Sequence, residues 1–156
     1  MSFSQLALTG WQKFLLFALR FLVGWHLFYQ GFGKITDPHW TARGYLELSW
    51  GPFLWLVQSP ALLPVADVIM SWGLLISGVL LMIGLFTRPA ALGALGLLLM
   101  IFLALPPLDY TGFVVSTRDG SELWVNKTLI ETVALLVIAS FNTGKIFGLD
   151  LLFSPR

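Results

Sequence analysis

The sequence contains no cysteine and few charged residues, and both shortages exclude classes of function. Without a thiol, the 156-residue chain forms no disulfide, holds no Fe–S cluster or zinc ion through thiolates, and has no thiol nucleophile. Charged residues make up only 11% of the chain and the formal net charge is +1, so it lacks the basic surface that a nucleic-acid partner needs. Any redox chemistry must therefore use a bound cofactor, a quinone or a partner protein.

Histidine is also scarce, and its two positions disfavour a haem or a metal centre. His26 and His39 belong to one apolar run and the loop just beyond it, whereas a bis-His haem needs two axial ligands that face each other. The sequence contains no recognisable flavin or nucleotide loop. We predict no metal site, so the chemistry has to rest on other polar side chains.

What the sequence has in excess is apolar residues. It is 57% hydrophobic with a mean hydropathy of +0.84, which predicts an integral membrane protein whose main partner is the lipid bilayer. A helix needs roughly 20 apolar residues to cross the hydrocarbon core. The predicted fold class is therefore an all-α membrane protein, a single four-helix transmembrane bundle over residues 1–156 with spans at about 12–34, 60–85, 89–105 and 123–141.

Two of the connections are long enough to carry structure of their own. Residues 39–59 are rich in Trp and Tyr but are broken by Gly44, Gly51 and Pro52, which predicts an interfacial helical loop. Alternating residues around Asp119-Gly120 predict a small hairpin lid before the fourth span. The Lys and Arg count does not decide the orientation, but the short turn at Arg88 and the longer loops opposite favour termini inside.

The first apolar run carries four polar residues, Arg20, His26, Gln30 and Lys34. Ionisable groups are costly inside a bilayer, so by default they face other protein groups or a water-filled site and are functional candidates. The last three are spaced i, i+4, i+8, which places them along one side of the helix. They are predicted to point at one neighbouring helix.

Depth in the bilayer relates these residues to the other spans. With a rise of about 1.5 Å per residue, Asp67 and Glu131 lie roughly 10 Å below the loop-bearing face, level with His26 and Gln30. These four groups are predicted to form one layer. A basic rim lies above it, formed by Lys34, Lys127, Arg43 and Arg118.

Arg20 lies about two turns deeper than His26 and needs a counter-ion. The predicted structural ion pair is Arg20 with Glu131, or alternatively with Asp67, reached by a side chain that extends toward the loop-bearing face. Whether such a pair only tethers helices stays open. It also stays open whether an interhelical hydrogen bond is the sole role of His26. Asp67, in turn, can simply be solvated.

Three stretches resemble DoxX/DoxD-type membrane proteins. The segment RFLVGWHLFYQGFGKI resembles their first-helix signature, LLISGVLLMIGLFTRPAAL their second-to-third helix turn, and NKTLIETVALLVIASFNTGKIFGLD their last helix with its terminal Gly-Leu-Asp. The resemblance implies a four-helix protein of a bacterial or archaeal plasma (inner) membrane, with Arg20, Lys34 and Glu131 as family positions. DoxD members are similar to a subunit of thiosulfate:quinone oxidoreductase, which passes electrons from thiosulfate to a membrane quinone together with a second subunit.

Two functional hypotheses follow. The first is a membrane subunit of a quinone-linked oxidoreductase in which Glu131 and His26 are catalytic and handle protons. Substrate binding, of a quinone headgroup, a small anion such as thiosulfate, or both, is assigned to Lys34, Gln30, Arg43, Lys127 and Asp67.

The second hypothesis is a non-catalytic scaffold or accessory subunit that docks a partner protein in a larger envelope complex. A partner subunit or a homo-oligomer is expected under both hypotheses. A small-solute transporter is less favoured, because four helices without internal repeats lack the usual transporter architecture.

Overall fold

The computed structural model describes residues 8–47, 59, 61–104, 125–141 and 143–152. Within these ranges the chain is helical and contains no β-strand. The helices are α1 (Gly10–Thr36), α2 (Arg43–Leu46), α3 (Leu62–Ile83), α4 (Thr87–Ala104) and α5 (Lys127–Phe141), followed by 3-10 turns at Thr143–Lys145 and Leu149–Leu151. The predicted hairpin lid and the second half of the predicted interfacial loop lie outside the described residues.

The first long helix has well-defined ends. At its start, the Thr9 side chain accepts a hydrogen bond from the backbone of Gln12, and the Gln12 side chain accepts one from the backbone of Thr9. This reciprocal pair satisfies amide groups that have no partner within the helix. The helix ends at Thr36, immediately before Asp37-Pro38, because proline disfavours helical geometry in the residue before it.

Glycines allow α1 and α3 to pack at backbone distance. A Cβ on Gly78 would collide with the backbone of Phe28 on α1, and one on Gly31 would collide with the backbone of Leu75 on α3. A Cβ on Gly24 would lie 3.0 Å from the carbonyl oxygen of Gly78. The two helices therefore touch along a seam where side chains are absent, the arrangement that small residues permit between membrane helices.

A left-handed glycine reverses the chain between α3 and α4. Gly84 has φ +69° and ψ +38° and donates its N–H to the last turn of α3. Leu85 donates to the carbonyl of Leu80 at 3.0 Å, which completes a Schellman-type helix end. Because the reversal takes only three residues, α3 and α4 run antiparallel side by side.

The four long helices surround one apolar core. α1 packs mainly on α3, α3 on α4, and α4 on α5, while α5 closes the ring against α1 less extensively. The largest fully buried apolar side chains of this core are Leu27, Leu74, Leu81, Leu98, Leu135 and Ile138. Ala90, Ala91 and Ala94 of α4 also lie in this core, whereas Gly93 and Gly96 face open space and contribute no close helix contact.

The ring has two distinct ends. The terminal end holds Gly10, Ile83, Thr87 and Phe141, and the loop end holds Thr36, Leu62, Ala104 and Lys127. Phe17 of α1 meets Phe147 of the C-terminal segment edge to face, with ring centroids 6.0 Å apart, so the start of α1 and the segment after α5 share the terminal end.

By length and composition, α1 and α3 could each cross a membrane. Their outer faces carry large exposed apolar side chains, including Leu22 at 65% and Val68 at 56% exposed, as expected for helices that face lipid. The other two long helices have 18 and 15 residues, or about 27 and 22 Å at the usual rise per residue. That all four cross the bilayer stays a prediction.

Candidate functional site

Two side chains of α1 and one of α5 form a connected polar group. His26 Nδ1 lies 2.5 Å from a carboxylate oxygen of Glu131, and Gln30 Nε2 lies 3.2 Å from His26 Nε2. When Nδ1–H donates to Glu131, Nε2 is free to accept from the Gln30 amide, so one imidazole tautomer satisfies both contacts. The structure therefore unites His26, Gln30 and Glu131, three members of the predicted layer, and we call them the His–Glu group.

Helical spacing sets the positions of this group. Gln30 follows His26 by one turn of α1, so both side chains lie over the same face of the helix. Glu131 follows Lys127, the first residue of α5, by one turn. The side chains of His26 and Glu131 are 29% and 13% exposed, so the group is shielded but can still be reached from outside the bundle.

Two lysines border the His–Glu group toward the loop end. The Lys34 ammonium lies 5.2 Å from the centroid of the Trp40 ring, within cation–π range. The charge of Lys127 acts on His26, Lys34 and Glu131. Lys34 and Lys127 therefore lie on the loop-end side of the His–Glu group, the position of the predicted basic rim. Their role in binding stays a prediction.

Asp67 does not join the His–Glu group. Its carboxylate accepts a hydrogen bond from the Ala42 backbone N–H at 2.6 Å and from the Thr41 hydroxyl at 3.2 Å to each oxygen. Ala42 and Leu46 then pack with Met70 in a second apolar cluster. Asp67 is thus a partly buried, hydrogen-bonded carboxylate outside the predicted layer, because the loop after α1 folds back onto α3 and donates hydrogen bonds to it.

The remaining predicted rim residues are not at this site in the described part of the chain. Arg43 is 55% exposed on α2 and lies 3.7 Å from Glu47 one turn later, a surface pair. Arg118 is outside the described residues. Three aromatic side chains of α1 and α3 face outward, with Trp25, Tyr29 and Trp72 exposed by 52%, 66% and 49%.

The predicted ion pair of Arg20 with Glu131 does not form. Arg20 is 1% exposed, and its guanidinium donates to the carbonyl of Thr143 at 2.8 Å and to the carbonyl of Phe147. The bond from each Cα to its Cβ in a helix tilts toward the N-terminus, so this side chain leans toward the terminal end. Glu131 is instead bound to His26.

An acidic residue that sequence reasoning missed acts on Arg20 through its charge. The Asp150 carboxylate accepts from the backbone N–H groups of Phe86 at 2.7 Å and Thr87 at 3.1 Å, at the start of α4. Its own N–H donates to the carbonyl of Gly84 at 2.9 Å, and its charge acts on Arg20. We call these contacts of Arg20 and Asp150 the terminal clasp.

Only the Gly-Leu-Asp sequence near the C-terminus pointed to Asp150. A carboxylate there can cap a helix start, where unpaired N–H groups and the helix dipole favour negative charge. The sequence could not identify which helix it caps, because α4 begins more than sixty residues earlier in the chain.

The comparison with protein families decides the membership of this chain. The DoxX profile matches residues 15–106, which is more than half of the 156 residues. The chain belongs to the DoxX family. Neither the search of curated proteins nor the search of solved structures gave a match.

DoxX membership supports a membrane location, because DoxX is a family of membrane proteins. The matched region contains most of α1 and all of α3 and α4, and so it includes Arg20, His26, Gln30 and Lys34. Glu131 and Asp150 lie beyond it. Each of the two polar groups therefore joins residues of the DoxX match to residues outside it.

Proposed function

We propose that this chain is a membrane subunit of a quinone-linked oxidoreductase of the thiosulfate:quinone type, in a bacterial or archaeal plasma membrane. The observation that carries the proposal is the His–Glu group, a hydrogen-bonded imidazole–carboxylate pair bordered by two ammonium groups. The DoxD resemblance of the sequence supports the substrate assignment, and DoxX membership supports the membrane location.

Proton handling is the role proposed for His26 and Glu131. Quinone reduction adds two electrons and two protons to each ring, and a positioned acid–base pair can deliver the protons. Imidazole changes its charge near neutral pH, and a carboxylate on Nδ1 selects which ring nitrogen carries the proton. His26 is partly exposed, so its ring can reach a ligand while Glu131 holds it in place.

Quinone binding fits the place of the group on the bundle. The Gln30 amide has two N–H donors; one contacts His26, and the other can donate to a quinone carbonyl, which is an acceptor. The group lies between α1 and α5, the neighbouring pair with the least extensive packing. A lipid-soluble ligand would approach from the bilayer, past the exposed rings of Trp25 and Tyr29.

Binding of the sulfur anion is the role proposed for Lys34 and Lys127. Thiosulfate is a small dianion, and two ammonium groups next to each other provide a complementary charge. Without cysteine the chain must bind sulfur species non-covalently. Electron transfer from thiosulfate therefore calls for a second, different subunit.

The experiment is thiosulfate-dependent reduction of a short-chain quinone by membranes that contain the protein with its partners. Glu131→Gln keeps the shape of the side chain and an oxygen that accepts from His26, but it removes the exchangeable proton. We expect turnover to fall by about 100-fold or more, the usual size of a general acid–base contribution. Glu47→Gln, the same change on an exposed surface pair, is the control.

Equal turnover in the two variants would remove Glu131 from the reaction. Absence of thiosulfate-dependent reduction in the parent protein would remove the proposed substrate. Extraction of quinone from the purified protein, and its loss in His26→Leu, tests quinone binding separately from electron transfer.

A scaffold function is the second candidate, and one observation favours it. The His26–Glu131 contact joins α1 to α5, which otherwise pack weakly, so the pair can serve chiefly to close the ring. In that case Glu131→Gln lowers the yield of an assembled complex without changing the turnover of the complex that forms.

A further inference from the structure

The terminal end of the bundle combines exposed positive charge with exposed apolar side chains. Lys13, in the first turns of α1, Arg88, at the start of α4, and Lys145, after α5, are all exposed there. The salt bridges found among the described residues involve none of the three. This end is distinct from the His–Glu group and takes no part in the proposed reaction.

Acidic residues are distributed unevenly between the two ends. Of the described acidic residues, Asp150 alone lies at the terminal end, and its carboxylate is occupied by the N–H groups that begin α4. The others, Asp37, Glu47, Asp67 and Glu131, belong to the half of the bundle toward the loop end. The exposed charge of the described terminal end is therefore positive.

Apolar side chains surround these cations. Trp11 is 67% exposed, Phe147 52% and Leu152 77%. Trp11 stacks on Phe14, with centroids 5.6 Å apart, and the segment that carries Phe147 and Leu152 is held against the bundle by the terminal clasp. Large apolar side chains beside Lys and Arg are typical of surfaces that enter the boundary between headgroups and acyl chains.

We propose that the terminal end binds the headgroups of anionic phospholipids. Lys13, Arg88 and Lys145 contact the lipid phosphates, and Trp11, Phe147 and Leu152 enter the acyl boundary. The negative charge of Asp150, which would repel such a leaflet, is offset by the N–H groups at the start of α4 and by the nearby charge of Arg20. A leaflet with anionic lipid attracts basic residues close to it, so this surface also favours the orientation with both termini inside.

Native mass spectrometry of the full chain in detergent tests this proposal, with phosphatidylglycerol and phosphatidylcholine as probes. We expect phosphatidylglycerol to bind more tightly than phosphatidylcholine. Arg88→Gln and Lys145→Gln should each weaken phosphatidylglycerol binding about 5-fold, the ratio expected for one cation near a charged surface. Lys145→Arg should keep the affinity, because it keeps the charge.

Arg43→Gln at the loop end is the matched control, since it also removes one exposed cation. Equal affinity for the two lipids would overturn the proposal, and so would a loss in Arg43→Gln as large as that in Arg88→Gln. A melting temperature for each variant separates weaker lipid binding from misfolding. Thiosulfate-dependent turnover of the same variants is measured separately in membranes, so failure here is distinguishable from failure of the proposed reaction.

Discussion

At the scale of single residues, Arg20 is the charged side chain buried most completely among the described residues. Its guanidinium contacts backbone carbonyls of the segment after α5, and Asp150 provides a negative charge nearby. Hydrogen bonds from a charged donor are stronger than those between neutral groups. Arg20 therefore attaches the C-terminal segment to α1 and is set apart from the His–Glu group.

Replacement of Arg20 tests this role. Arg20→Leu leaves the carbonyls of Thr143 and Phe147 without their donor, at a cost of roughly 1–3 kcal/mol for each buried acceptor. We expect the free energy of unfolding in detergent to fall by about 3 kcal/mol. Arg43→Leu, which removes an exposed arginine, should change it by less than about 1 kcal/mol.

Proteolysis of the same two variants tests directly whether Arg20 attaches the C-terminal segment. Trypsin should cleave after the exposed Lys145 faster in Arg20→Leu, because the segment loses two hydrogen bonds. Equal unfolding free energies for Arg20→Leu and Arg43→Leu would contradict the role assigned to Arg20.

At the scale of elements, close approach of α1 and α3 depends on missing side chains. Gly24, Gly31 and Gly78 lie where a Cβ would press on the facing backbone. Such proximity brings many atoms into van der Waals contact, which matters in lipid because the hydrophobic effect does not drive helices together there. The seam also fixes the rotation of α1, and with it the direction in which His26 and Gln30 point.

Gly78→Ala is expected to destabilise the protein by about 1–3 kcal/mol, as overpacking usually does. The added methyl group would collide with the backbone of Phe28, which a rotamer change cannot relieve. Gly93→Ala on α4 is the control, because its Cβ would meet no atom of the described residues within 4 Å. That change should be neutral or stabilising, since alanine favours a helix over glycine.

Urea or thermal unfolding of the two glycine variants in the same detergent measures the difference. If Gly78→Ala were as stable as the parent protein, α1 and α3 would not be in close backbone contact at Gly78. A loss of stability in Gly93→Ala would indicate a contact on the outer face of α4.

At the scale of the whole molecule, the antiparallel helices carry one polar group toward each end. The His–Glu group lies toward the loop end and the terminal clasp at the other. The predicted topology, four spans with the termini inside, would place the His–Glu group toward the outer side of the membrane. Because the chain has no cysteine, single cysteines can report this arrangement without background labelling.

We expect a membrane-impermeant maleimide to label Asp37→Cys and Val125→Cys on intact cells. Arg88→Cys and Lys145→Cys should react only after permeabilisation. The cysteine-free parent protein gives the blank. Labelling of Val125→Cys on the same side as Arg88→Cys would mean that α4 does not cross the membrane. Labelling of Arg88→Cys and Lys145→Cys on intact cells, with Asp37→Cys and Val125→Cys protected, would place the termini outside.

Much of the architecture followed from the order of residues. The four helical segments, the stop at Asp37-Pro38 and a tight reversal between the second and third spans depend on apolar length, proline and glycine, which act over a few neighbouring residues. The reversal itself lies at residues 84–86, slightly before the turn predicted at Arg88. That His26 and Glu131 lie at a similar depth followed from the helical rise per residue alone. The depth of a residue in the bilayer does not specify the direction in which its side chain points, however. The same reasoning therefore paired Arg20 with Glu131 and placed Asp67 beside His26, and the structure shows neither contact.

The sequence by itself determined that this is an apolar, helical chain of a membrane family, because hydropathy and helical spacing are sums over local residues. Only the tertiary structure decided the partners of its polar groups. Asp67 binds the loop after α1, Arg20 binds the segment after α5, and Asp150 caps α4, over separations of 25 to 127 residues. Such pairings depend on how helices rotate against each other, and backbone contact at Gly24, Gly31 and Gly78 sets that rotation for α1 and α3.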